Sequence, residues 1–294
     1  MKKIKTSILT LAAGLCAGGL LADDVVHPAD AIGGDLPTLA VFPACTKPTL
    51  KSVMEKQDKG DELALMVESL DGQLAAAISK SGTFKLLSRG DPIMDTIIEE
   101  IGMGGIFGKQ PIVPGAAYCV FIELDHFLDE NKKVNPSGTR TYNKRTLQLS
   151  GQVKIVRSSD AVTFPISNLQ VEEEDTTNDT MEMMRPLLAR KFVAQSYEQI
   201  MDAVFPMLII DNSGGVLTLD RGREFLSKDE KVEIYGPSKV VAHPRTGAKR
   251  QVKGELIGTA TITSTEADYS QAKMDGSFKL PEFAEVRKPE KEQE

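Results

Sequence analysis

Apolar and polar positions divide the chain near residue 210: helical repeats and longer strands come before it, short strands with polar turns after it. The run "LPTLAVFPAC" (36–45) predicts a strand closed by a proline break. In 61–80, Leu63, Met66, Leu70, Leu74 and Ala77 recur at helical spacing, with acids early and Lys80 in the last turn, where a cation suits the helix dipole. Ser81-Gly82 stops that helix. The segment "TFKLLSRGD" (83–91) predicts a second strand, after which Asp91 caps a helix with Pro92 in its first position. Ile93, Ile97 and Ile101 line one face of it, and Gly102 ends it.

Strict alternation returns at 118–125. Tyr118, Val120, Ile122 and Leu124 share one face, and Cys119, Phe121, Glu123 and Asp125 the other. A polar link, "DENKKVNPSGTRTYN" (129–143), leads to a strand in which Leu147, Leu149, Val153 and Ile155 alternate with Gln148, Ser150, Gln152 and Lys154. The segment "AVTFPISNLQVEEED" (161–175) predicts one more strand. A long helix over 180–205 turns Val193, Tyr197, Ile200 and Val204 inward, and Pro206 closes it. The predicted fold class is α+β, a mixed β-sheet with helices packed on it over 35–208.

Beyond it lie "GGVLTLDRG", "EKVEIYG", "SKVVAHPRTG", "ELIGTATITSTEAD" and "YSQAKM". Short strands at such close intervals predict a small antiparallel β-barrel over 211–276. Within it Gly247 permits a turn, and Ile257, Ala260 and Ile262 pack the interior. The charged tail, 281–294, lacks apolar spacing and is expected to be disordered.

The first residues change the expected address. Lys2, Lys3 and Lys5 precede an apolar run, 8–21, too short for a permanent bilayer helix, and Leu20-Leu21-Ala22 resembles a signal-peptidase site. Residues 1–22 therefore read as an export signal. Leu15, rather than a small residue, precedes Cys16, which argues against a lipid anchor. Cleavage removes three lysines and no acid and takes the formal charge from −7 to −10, a balance that disfavours nucleic-acid binding. No later segment is apolar enough for a membrane helix. Cys45 and Cys119 would enter a compartment that permits disulfides. They could meet across antiparallel neighbouring strands; parallel strands in register would hold them too far apart, and two buried free thiols are the alternative.

Few residues suggest chemistry. His126 lies near Glu123, Asp125 and Asp129, yet on a regular strand it points away from Glu123 and Asp125, so a shared metal would need a bend. Met181, Met183 and Met184 offer soft sulfur for copper, although methionines near a helix start commonly serve packing. The loop "GMGGIFG" (102–108) follows a helix and lacks a Lys-Ser or Lys-Thr pair, so it does not read as a phosphate cradle. Residues 172–175 form a run of four acids, a solvated strand end or a contact for basic partners. With His27, His126 and His243 the only histidines and no hydrolase motif, no catalytic residue, metal ligand or cofactor is assigned.

The segments "LAVFPAC" before a long helix, "SGTFKLLSRGDPIMDTIIEE" as strand into helix, and the helix ending near Phe205 resemble CsgG-like envelope proteins, the type of the curli secretion component. That family also resembles the amino-terminal domain of the translocation protein TolB and a lipoprotein activator of penicillin-binding proteins. Ser88 stands where that pattern carries Glu. The order "VLTLDRG", "KVEIYGP", "HPRTG", "GELIGTATITSTEADYSQAKM" is similar to the small barrel of a flagellar basal-body ring assembly protein, with Lys228-Asp229 in place of a Gly turn. The resemblance implies a non-enzymatic assembly or interaction protein of the periplasm or outer membrane, with envelope proteins or further copies of itself as partners. An oligomeric outer-membrane channel is the alternative, for which 146–156 has the length of a membrane strand. A hydrolase of envelope polymers using Glu123 with Asp125, or Glu172 with Glu174, is a third reading.

Overall fold

The computed structural model describes residues 36–87, 115–135, 141–176, 181–223 and 225–289. The predicted export signal, His27, the helix expected from Pro92 and the glycine-rich loop lie outside them.

A mixed sheet carries helices on one face, as expected. It begins with β1 (Thr38–Val41) and β2 (Cys45–Thr46), followed by helices α1 (Pro48–Lys56) and α2 (Gly60–Ser81) and strand β3 (Lys85–Leu86). Then come β4 (Tyr118–Val134), β5 (Tyr142–Arg157), β6 (Val162–Thr163), β7 (Ser167–Asp175) and helix α3 (Met181–Val204). Strand β1 runs parallel to β3 and β4, whereas β4 and β5, β5 and β6, and β5 and β7 are antiparallel. Helix α2 follows its pattern closely: Leu63, Met66, Leu70, Leu74 and Ile78 are buried, and Gly82 ends it in the left-handed conformation at φ +64°. Helix α3 buries Phe192, Val193, Ile200 and Val204 against the same core, with Tyr197 partly buried beside them. Helix α1 is not apparent in the sequence pattern, because its nine residues bury just Leu50 and Met54.

Three expectations change here. The polar link 129–143 is largely strand, since β4 and β5 stay paired out to Val134 and Tyr142. The single strand expected over 161–175 is two, β6 and β7, divided at Phe164-Pro165-Ile166, and both pair with β5. The register of β4 against β5 also slips between Leu124 and His126, a β-bulge at Asp125. Gly151 sits opposite it, and a Cβ there would lie 2.7 Å from the Glu123 carbonyl oxygen.

Helix α3 passes through Phe205-Pro206 directly into a closed antiparallel barrel, its strands ordered β10-β13-β14-β9-β8-β15. These are β8 (Met207–Ser213), β9 (Val216–Leu219), β10 (Lys231–Tyr235), β13 (Leu256–Thr265), β14 (Ser270–Met274) and β15 (Glu285–Arg287). Ala260 and Ile262 are fully buried inside it with Leu217, Leu219, Val232 and Ile234, while Ile257 is partly exposed. The barrel exceeds the expected 211–276 at both ends. Met207 belongs to its core, and the tail expected to be disordered supplies β15, which closes the barrel between β10 and β8.

The segment "SKVVAHPRTG", expected as a barrel strand, lies outside the barrel. Strands β11 (Lys239–Ala242) and β12 (Lys249–Val252) form a two-stranded ribbon inserted between β10 and β13, with Gly247 at φ +69° in its turn. Arg250 pairs with Thr163 and so joins the ribbon to the β6 side of the first sheet. Barrel and helix are tied by Lys288, which donates to Glu198 at 2.7 Å, and by Arg221, which donates to the Phe205 carbonyl and lies 4.7 Å over the Phe225 ring.

Candidate interaction surface

Strand β2 stops early, and that decides what the long β4 strand can do. Cys45 pairs with Glu123 and Thr46 with Leu124, after which the chain turns through Lys47 into α1, aided by Pro48 at the first helical position. Among the described residues, β4 then has no strand partner on the side away from β5 over residues 126–134. This open edge faces α1 across a groove of 620 Å³. Leu50, Val53 and Met54 line one wall and Phe127 and Leu128 the other, with Val53 49% exposed. An edge strand of this kind offers main-chain donors and acceptors to an incoming extended segment. It is also guarded: the bulge lies at its root, Lys132 and Lys133 stand along it, and the Lys59 ammonium donates to the Asp129 carbonyl oxygen at 2.7 Å.

Below the groove a charge network holds the hairpin on the helices. The bulge restores Phe127 to the helix side and turns the Asp129 side chain there too. Arg145 donates to Asp129 through Nε at 2.8 Å and through its terminal nitrogen at 2.5 Å, and Arg185 from α3 donates at 3.1 Å. Arg185 also reaches Glu62 of α2 at 2.9 Å. Burial pushes the Asp129 carboxyl up, but the hydrogen bonds from the two guanidinium groups outweigh this and hold it below the usual carboxylate range. Four elements thus meet at one buried carboxylate.

The residues weighed for chemistry do not converge. Asp129 is taken by two arginines, His126 is exposed, and Asp125 accepts from Ser150 at 3.0 Å and pairs with Lys47 at 3.4 Å. Among the described residues no group of three His, Cys, Asp or Glu could hold a metal. Met184 is buried in the core whereas Met183 is 58% exposed, so these two sulfurs do not form one site. Glu172 accepts from Gln148 at 2.7 Å, Glu173 pairs with Lys191 at 2.7 Å, and Glu174 pairs with Lys144. These acids lie on β7, which among the described residues pairs with β5 alone.

Cys45 and Cys119 form no disulfide, and the Cys119 thiol lies 3.5 Å from the Ser158 hydroxyl. Strands β1 and β2 run parallel to β4, with Cys119 opposite Ala40 and Cys45 opposite Glu123, four residues apart along β4 and so about 13 Å. Burial first, then Glu123 and Asp71, push the Cys45 thiol up to about 12, which makes it a poor nucleophile and a poor metal ligand. Glu123 is itself raised, by burial and then by Asp125, against the opposing pull of Lys47.

No protein-family model and no curated protein matches this chain. Solved structures align with part of this chain. A hypothetical protein from Chlamydia trachomatis superposes with a TM-score of 0.34 at 10% identity, covering 57% of this chain and 98% of the other. A lipoprotein from Neisseria meningitidis gives 0.33 at 11%, covering 56% and 99%, and a DUF330-family protein from Xanthomonas campestris gives 0.33 at 10%, covering 58% and 85%. Likeness at this level carries no functional assignment.

Proposed function

We propose that this is a non-enzymatic interaction protein of the bacterial cell envelope, which recruits an extended segment of an envelope partner onto the open edge of β4. One observation carries the reading: among the described residues, an unpaired strand edge over 126–134 beside a groove that mixes Leu50, Val53, Met54, Phe127 and Leu128 with charged side chains such as Lys59 and Glu130, held in place by the Asp129 network. The address rests on the export signal in the sequence, and the CsgG-like resemblance agrees with it. Strand addition supplies affinity through main-chain hydrogen bonds and selectivity through side chains entering the groove. Against the channel reading, 146–156 lies inside the first sheet, paired with β4 on one side and chiefly β7 on the other, with Leu147, Leu149, Val153 and Ile155 in the helix-side core. Against the hydrolase reading, the Glu172 and Glu174 pair lies exposed on the sheet edge and is tied to neighbouring side chains.

The test is a photo-reactive residue placed at Lys133 in the host, with Thr263 on the barrel exterior as control. A discrete adduct with an envelope protein from position 133 and none from 263 is expected. Equal adducts at both positions, or none at 133, would overturn the reading.

A further inference from the structure

The β11–β12 ribbon is built differently from the rest of the molecule. Residues 239–253 hold five cations, Lys239, Arg245, Lys249, Arg250 and Lys253, and no acid, in a chain whose formal charge is −7. Val240, Val241 and Val252 are 44%, 47% and 46% exposed, so neither face of the ribbon has a core to cover it. Pairing places Lys239 beside Val252 and Val241 beside Arg250, which sets apolar and cationic side chains side by side on one face. A two-stranded hairpin alone is marginal in water, and this one is tied to the first sheet through the Arg250–Thr163 pairing with β6.

Its root, by contrast, is firmly made. Ser238 donates to the buried Glu285 through its amide and its hydroxyl, both at 2.9 Å, and the Gly236 amide donates to Glu255. Gly254 crosses so close that a Cβ on it would lie 2.0 Å from the Gly236 carbonyl oxygen. The fold thus holds a basic, valine-bearing ribbon in fixed orientation with Lys239, Val241, Arg250 and Val252 exposed.

We propose that this ribbon docks the protein on an anionic lipid surface through one face, with Lys239 and Arg250 on the headgroups and Val241 and Val252 at the acyl boundary. The proposal is independent of the β4 edge. A soluble polyanion would use the cations and leave the valines idle, whereas a lipid surface uses both, each cation contributing about fivefold in affinity.

The experiment is flotation of the purified protein with vesicles containing phosphatidylglycerol and with vesicles of phosphatidylcholine alone. Binding to the first and not the second, lost as salt rises, is expected, with at least tenfold weakening in Lys239→Glu/Arg250→Glu. The native chain has no tryptophan, so Val241→Trp is a lone reporter, and its emission should shift to the blue on binding. Thermal melts of both variants at the native midpoint show that they are folded. Absence of binding to anionic vesicles, binding unaffected by the double reversal, or water-exposed emission in the bound state would each overturn the proposal. So would tighter capture by polyglutamate or nucleic acid.

Discussion

Asp129 is where the helix layer and the long hairpin are tied together, and its role is hidden in the sequence. Alternation along 118–125 reads correctly, but it cannot carry past a bulge, and one inserted residue reverses the face of everything after it. The one sequence signal for that bulge is Gly151, an isolated glycine in an otherwise regular strand. Two predictions belong at this scale. Gly151→Ala should drive a Cβ into the Glu123 carbonyl and lower stability by roughly 1–3 kcal/mol, read as a fall in the denaturant midpoint. Asp129→Asn should cost about 3 kcal/mol at neutral pH, because it leaves two guanidinium groups facing a neutral amide. The sign with pH follows from the depressed folded-state value. Asp129 contributes its full stabilisation above the unfolded carboxylate value of about 4 and loses it as pH falls through the lower folded value. The difference between wild type and variant should therefore shrink steadily below about pH 4, and a constant difference would exclude the linkage. Cys45 gives a third test: its raised thiol should resist alkylation at pH 8 in the folded protein and react on unfolding.

Among the elements, α2 and the barrel strands were legible and the polar hairpin was not, and the reason is the same in each case. A helix or strand announces itself through the face it buries, so Leu63, Met66, Leu70 and Leu74 are plain, as are Ala260 and Ile262. Beyond Asp129 the hairpin arms extend past the core, neither face is apolar, and the alternation vanishes although the hydrogen-bonded ladder continues. Strand β15 is hidden in the sequence for a related reason. Its three residues sit in a charged tail, and Glu285 reads as solvated although it is buried under Ser238 and Arg287. That carboxylate anchors the ribbon root, so Glu285→Gln should weaken both contacts. Faster tryptic cleavage after Arg245 or Lys249, with little change in the barrel's midpoint, is the expected outcome. Unchanged cleavage would show that the glycine crossing alone holds the root.

At the scale of the molecule, the open β4 edge and the basic ribbon lie on different parts of one sheet, which suits a protein that meets a partner with one and a surface with the other. The sequence shows how the chain is divided and what the ribbon is made of, but not the open edge: among the described residues β2 ends at Thr46 while β4 runs on to Val134. The most direct test of the central claim is extraction from the host envelope with salt alone and with detergent, followed by sizing of the recovered protein. An interaction protein held by its surface should be released by high salt without detergent, as a monomer or small complex carrying its partner. Recovery solely in detergent, as a large ring that conducts ions, would contradict the account and make 146–156 the segment to mutate.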